Sequence, residues 1–501
     1  MLLALLLTAA EISGFADLHL HQMSHLAFGG RFIWGSPVGA PDKAMPACSG
    51  SGNDHGFLAG FEGGMGNFTR HGPRDWPHFF STSHQQSHAT WLEKAHKEGL
   101  QLMVMSAVEQ KDFCALIPGR KVSCHDFESA RRQLDAAHAF SRAHPWYAIV
   151  KSPAEARAAI AAGKLAVVLA VEAGDVFEGA DPRRRLDELH ALGVRSIQLV
   201  HETDNRMGGA APHEPAVRIV NIIHNVKESA KNLKARLSRV FSTGKGKTEA
   251  TQAAAKLASR FTGFKLDKQG RNKKGLSPEG KAVVAAMMDK RMLVDVSHMS
   301  TRAIQDAFAI AKARRHYPLF NSHAHLSDAE KKKIGEWHYG MGVYRIIAET
   351  GGVIGLRTGP HATPAYAGSG VPNDCEGSTK SFAQTLAWAG KELHLSVAFG
   401  SDFGGMASNL APRFGKYGCN KNKAQQKRQK GRTGGMLDER GLGHVGLLGD
   451  VLRELKALRA HTAPLERSAE DFVRMWERAH DDGRKPLAAR FDDRRALATL
   501  K

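Results

Sequence analysis

Cysteine is scarce. Five cysteines are spread over 501 residues, at positions 48, 114, 124, 375 and 419. They are too few and too scattered for a disulfide scaffold or a zinc finger. Cys114 and Cys124 either close a short loop in an oxidising compartment or remain two free thiols. Long apolar runs are also lacking: beyond the first ten residues none is long enough to span a membrane as a helix. No Gly-rich dinucleotide fingerprint follows the first apolar strand, which argues against an open doubly wound sheet.

Acidic residues are sparse in two stretches, and the net charge of +20 is concentrated there. Residues 227–275 hold 14 Lys/Arg against 3 Asp/Glu, and residues 413–432 hold 8 Lys/Arg and no acid. Basicity therefore belongs to two inserts, at about 222–275 and 411–435, within one domain spanning 14–501. Such inserts suit contact with an anionic surface or polymer, or are simply solvated. The run KNKAQQKRQKGR (421–432) has no interleaved aromatics for base stacking, and no nucleic-acid motif is present. Met1–Ala10 (MLLALLLTAA) ends in small residues like the tail of a secretory signal, and residues 1–13 read as its remnant. A periplasmic or secreted location is the expectation, with the cytoplasm as the alternative.

Apolar runs alternate with helical patterns through most of the chain. Strands are expected at Gly14–His21, Leu100–Val108, Lys164–Glu172, Val194–His201, Met292–His298, Tyr317–His323, Gly352–Arg357 and Leu395–Asp402. Eight such units with helices between them predict a (β/α)8 TIM-type barrel. A Gly- and Pro-rich stretch, 22–88, follows the first strand and reads as a long lid loop anchored by Phe32, Trp34, Trp76 and Phe79.

Polar residues close six of the eight runs. They are His19 and His21, then Glu172, His201, His298, His323 and Asp402. Barrel active sites lie at the C-terminal ends of the strands, so these side chains would share one rim. Along the first strand Asp17, His19 and His21 alternate with Leu18 and Leu20 and face one way. One such histidine is commonly a hydrogen-bonded core residue; a set of them with two carboxylates and no cysteine suits Zn²⁺ or another divalent first-row metal. Two ions about 3.5–4 Å apart would use the whole set. Glu172 is the natural bridge between them, and Asp402 can ligate a metal and accept a proton.

In these residues the chain resembles the renal-type membrane dipeptidases, within the amidohydrolase-like metal-dependent hydrolases. The resemblance is carried by GLSPEGKAVVAAMMDKRMLVDVSHMS (275–300) and PLFNSH (318–323). GKLAVVLAVEAG (163–174), LGVRSIQLVH (192–201), ETGGVIGL (349–356), VAFGSDFGG (397–405) and EDFVRMWERA (470–479) support it. The resemblance implies a two-zinc barrel that hydrolyses the amide bond of dipeptides. His19 and His21 would bind one zinc with Glu172, which bridges to a second held by His298 and His323. His201 would contact the substrate carbonyl, and Asp402 would activate water. Two departures stand out. The family has an HxD pair where this chain has His19-x-His21. It also has an Arg-Asn pair, which grips the substrate carboxylate, where this chain has Trp337 and His338. His338, Arg345 and Arg357 are the replacements to consider. The expected activity is a dipeptidase. The alternatives are a binuclear hydrolase acting on another amide, a lactone or a phosphoester, and a diverged protein that binds anionic polymers through its inserts. A small-molecule substrate is the expected partner, and self-association into a homo-oligomer is compatible with the sequence.

Overall fold

The computed structural model describes residues 11–46, 77–117, 119–213, 263–326, 335–359, 366–415, 417–418 and 435–481. The first ten residues, Trp76, the expected helices near 217–240 and 249–261, and most of both basic inserts lie outside them.

All eight expected strands form. We number them β1 (Phe15–Leu20), β2 (Leu100–Glu109), β3 (Leu165–Ala173), β4 (Val194–Gln198), β5 (Leu293–Asp295), β6 (Leu319–Ala324), β7 (Val353–Arg357) and β8 (Ser396–Gly400). Each is parallel to its neighbours, and β8 pairs back onto β1 through Phe399 and Asp17, closing the barrel. The longest ladder joins β2 to β3, from Leu102–Ala166 to Glu109–Ala173. One short strand, Tyr147–Ile149, was not anticipated; it extends the lower edge of β3. The barrel strands are buried along almost their whole length, which is why they read as continuous apolar runs rather than alternating ones.

The helices begin where local chemistry favours it. Ser152, Asp181 and Ser277 each accept a hydrogen bond from a first-turn N–H, and Pro153, Pro182 and Pro278 follow them. A proline there has a preset φ and no donor to lose, and such a cap contributes about 1 kcal/mol. Ser300 caps the helix Thr301–Ala313 in the same way. The helix Ser468–His480 buries Phe472 and Trp476 and packs Phe472 against Phe320 of β6.

Several expected strands end earlier than their sequence patterns suggest. His298 and Asp402 have φ of 61° and 58°, so neither continues an extended ladder. Both stand in the turns just beyond β5 and β8. The described parts of the 22–88 stretch are packed. Phe28 and Phe32 cluster with Ile117 and Val108, and Trp34 sits against Ala44 and Met45. Cys114 and Cys124 form a disulfide directly behind Phe113, which joins that cluster.

Candidate metal centre

The end of β1 supplies the first two imidazoles. His19 and His21 lie on one face of the strand, and both are buried. His21 Nδ1 is 2.8 Å from the carbonyl oxygen of Ser106. A carbonyl only accepts, so Nδ1 carries a hydrogen and Nε2 is left facing the site. The Asp402 N–H donates to the His19 carbonyl at 2.8 Å, and the His21 N–H to that of Phe403 at 2.8 Å. These two bonds fix the turn after β8 against the end of β1.

Glu172, at the end of β3, lies between two groups of imidazoles. Its Oε2 is 3.2 Å from His19 Nε2 and 3.1 Å from His21 Nε2. Its Oε1 is 3.1 Å from His298 Nε2, 3.8 Å from His323 Nε2 and 3.9 Å from His201 Nε2. The Nε2 atoms of His298 and His323 face each other at 2.9 Å. Asp402 Oδ1 approaches His21 Nε2 at 3.2 Å and His19 Nε2 at 3.8 Å, and its Oδ2 is 3.5 Å from Arg357 Nη1. All seven side chains singled out in the sequence therefore converge on one rim. Donor atoms of His19, His21 and Glu172 lie within 4.8 Å of one another, as do those of Glu172, His201 and His298. His201 thus stands closer to the second group than the sequence alone conveys.

Burial and charge set the protonation of this cluster. Burial pushes the Glu172 carboxyl up, but the surrounding imidazoles, His19 and His201 foremost, hold it well below the usual range. Burial likewise opposes ionisation of Asp402, and Arg357 with His21 outweighs it, so its pKa is lowered. Burial would depress His21 and His298, yet the neighbouring carboxylates carry them up to about 10 and about 9. Burial takes His201 down to about 3. Protonated imidazoles here occupy the place of a cation between buried carboxylates, which need a positive partner.

A divalent metal fits this donor set. His21 Nε2 and Glu172 Oε1 are buried and make no aligned hydrogen bond, although both lie close to oppositely charged groups. One such atom stands in each half of the cluster, and a buried ligand atom of this kind is what a metal ion completes. Room is made by Gly405, where a Cβ would lie 1.7 Å from Asp402 Oδ1 and 2.9 Å from His21 Cδ2.

Several neighbours were not singled out in the sequence. Glu202 lies 3.5 Å from His298 Nδ1 and 3.7 Å from His201 Nε2, and burial raises its carboxyl to about 7. Its position directly after His201 was the available signal. Beyond His298, the Trp337 ring stacks on His213 at 4.4 Å and meets His325 edge-on at 4.4 Å and His338 at 3.7 Å. His325 follows His323 by two residues, the spacing of the first pair. Of the residues considered as a carboxylate grip, Arg345 is exposed on the helix Met341–Glu349. Arg357 is buried against Asp402 and donates to the carbonyls of Ser401 and Ser408.

A closed parallel barrel with these donors at its C-terminal rim defines a metal-dependent hydrolase. The sequence profile of the membrane dipeptidases, peptidase family M19, matches residues 75–220 and 239–411, more than half of the chain. The chain belongs to that family. The match begins after β1, so the His19–His21 pair lies outside it. Among solved structures the chain is similar to a metallopeptidase of family M19 titled dipeptidase AC, at 14% identity with a TM-score of 0.51, covering 94% of this chain and 99% of that one. It is also similar to the probable dipeptidase PvdM from Pseudomonas aeruginosa, at 16% identity and a TM-score of 0.51, covering 78% and 88%. At these identities the likeness is one of fold. No curated protein matches the sequence.

Proposed function

We propose that the chain is a binuclear zinc dipeptidase that hydrolyses the amide bond of dipeptides. The observation that carries this reading is the single carboxylate of Glu172, one oxygen toward His19 and His21 and the other toward His298. His19, His21 and Glu172 would hold one ion, and Glu172, His298 and His323 the other, with His201 beside them. When bound, the ions supply a water acidified toward neutral pH and an electrophile for the scissile carbonyl.

The protein groups then have separate tasks. His201, kept neutral by burial, offers an N–H to the carbonyl oxygen as negative charge develops there. Asp402, kept ionised beside Arg357, accepts the proton of the attacking water and returns it to the leaving amine. Gln86, in the stretch after β1, accepts the Gly404 N–H at 2.9 Å and ties that stretch to the turn that carries Asp402. Metal analysis by mass spectrometry beside a panel of dipeptides tests the proposal. Two zinc equivalents with dipeptide turnover are expected; turnover confined to esters, lactones or phosphodiesters would sink it.

A second reading, another amide, a lactone or a phosphoester as substrate, is favoured by one observation. Trp337 and His338, which stand where a carboxylate-binding arginine is expected, form an aromatic wall with His213 and His325. The same panel separates the two readings. The Cys114–Cys124 disulfide supports an oxidising compartment. Among the described residues no helix is long and apolar enough to cross a membrane.

A further inference from the structure

We propose that the hydroxyl of Ser322 positions His19 and His323 together, one imidazole from each half of the metal centre. The inference rests on the binuclear reading above and goes beyond it, because it concerns what holds a donor of each half in place. Ser322 lies on β6, fully buried, one residue before His323. Its Oγ is 3.0 Å from His19 Nδ1 and 3.0 Å from His323 Nδ1. One oxygen thus stands behind an imidazole from each group of donors.

The direction of these hydrogen bonds follows from counting protons. A serine hydroxyl has one hydrogen and two lone pairs. Ser322 Oγ is also 3.2 Å from Ser297 Oγ, which is 2.7 Å from Asp295 Oδ1. Asp295 Oδ1 and Asn321 Oδ1, the latter at 2.9 Å, are both acceptors for the single Ser297 hydrogen, which is therefore not available to Ser322. Ser297 Oγ is then left to accept the Ser322 hydrogen, beside the Ser322 N–H at 3.0 Å. In this arrangement Ser322 gives its hydrogen to Ser297 and turns its lone pairs to the two imidazoles, so both donate from Nδ1. Both Nε2 atoms are then free of hydrogen and directed at the site. His19 Nε2 points to Glu172 Oε2, and His323 Nε2 to His298 Nε2. Asp295, Ser297, Ser322 and the two histidines form one buried relay that fixes both tautomers.

One hydroxyl thus serves a donor of each half of the centre. Partners of this kind behind metal-binding histidines alter metal affinity by about 10–100-fold when removed.

The test is stepwise titration of metal-stripped full-length protein with Co²⁺, followed by visible absorption and calorimetry. S322A, the shape-matched S322C and S297A are compared with wild type, with circular dichroism as a control for folding. Imidazole ¹⁵N spectra of the stripped proteins report the tautomers without reference to activity. In wild type, His19 and His323 should each carry the hydrogen on Nδ1. S322A and S322C should show mixed tautomers and roughly tenfold or greater weakening of both binding steps. S297A, which leaves the Ser322 oxygen in place, should loosen the tautomers with a smaller loss of affinity. Weakening of one step alone, or unchanged tautomers in a folded S322A, would overturn the inference while leaving the binuclear reading intact. Wild-type protein that takes up no divalent ion overturns both.

Discussion

Asp17 and Ser401 are hydrogen-bonded across the seam where the first barrel strand meets the last. Asp17 Oδ1 accepts the Ser401 N–H at 3.0 Å, and Oδ2 accepts the Ser401 hydroxyl. Both residues are fully buried. Asp17 shares a face with His19 and His21 but sits one step deeper, where it holds the strands rather than the site. Asp17→Ala removes the acceptor of the buried Ser401 N–H and of the His19 N–H, and leaves the Ser401 hydroxyl only the His19 carbonyl at 3.3 Å. A loss of about 2–4 kcal/mol is expected in urea unfolding, since each orphaned group costs about 1–3 kcal/mol. An unchanged midpoint would show that the seam is held elsewhere.

Asp402→Asn separates proton transfer from metal binding. Asparagine retains the shape and an oxygen facing His21 but cannot accept the proton. Metal content should stay at the wild-type level while kcat falls by about 10²–10⁴-fold. Retained turnover would remove Asp402 from the mechanism.

Gly405→Ala places a methyl group on the Asp402 carboxylate, 1.7 Å from Oδ1 in the present arrangement. The carboxylate must turn away, so turnover should fall at least tenfold, as misplacing a reacting group by about 1 Å can cost 10²-fold. Glycine at 405 lies on a turn, not in the barrel, and the melting temperature should move little. Equal loss of stability and activity would mean that the turn itself has collapsed.

The pH dependence of stability should include an acid limb from Glu470. Burial pushes this carboxyl up, but Arg157, the Ile12 N–H and Arg474 outweigh it and hold it near about 2. Arg157 Nη1 and Nη2 meet its two oxygens at 2.8 and 3.0 Å. A depressed folded-state pKa stabilises above the unfolded value of 4.5 and is lost as pH falls toward about 2. With solvent screening the contribution is roughly 1–2 kcal/mol. Urea midpoints of wild type and Glu470→Gln should converge between pH 4.5 and pH 2. Parallel curves would refute the assignment.

Most of the barrel was legible because strands buried on both faces leave unbroken apolar runs. The rim was legible because ligand-type residues close those runs. The same rule also has a counterexample. Glu109 ends β2 as Glu172 ends β3, yet its carboxylate accepts the N–H groups of Phe28 and Gln110 and fastens the loop after β1. Sequence carries no mark that distinguishes the two acids, since the difference lies in what the other strands bring alongside. The relay of Asp295, Ser297 and Ser322 was hidden for the same reason. The Cys114–Cys124 bridge was left open because only the fold sets the distance between the two thiols.

The Ile12 N–H donates to Glu470 Oε2 across 458 residues of chain, and the Ala16 N–H to Ser468 Oγ across 452. The first strand is thus clasped by one of the last helices. Contacts of such sequence separation form slowly, because loop closure precedes any gain from them. During synthesis β1 must wait without its lateral neighbour β8 until Gly400 has left the ribosome. A strand left with one open edge for that long is exposed to aggregation. Two of the imidazoles at the rim lie on or just past that strand, so the centre is assembled last, at the moment of barrel closure.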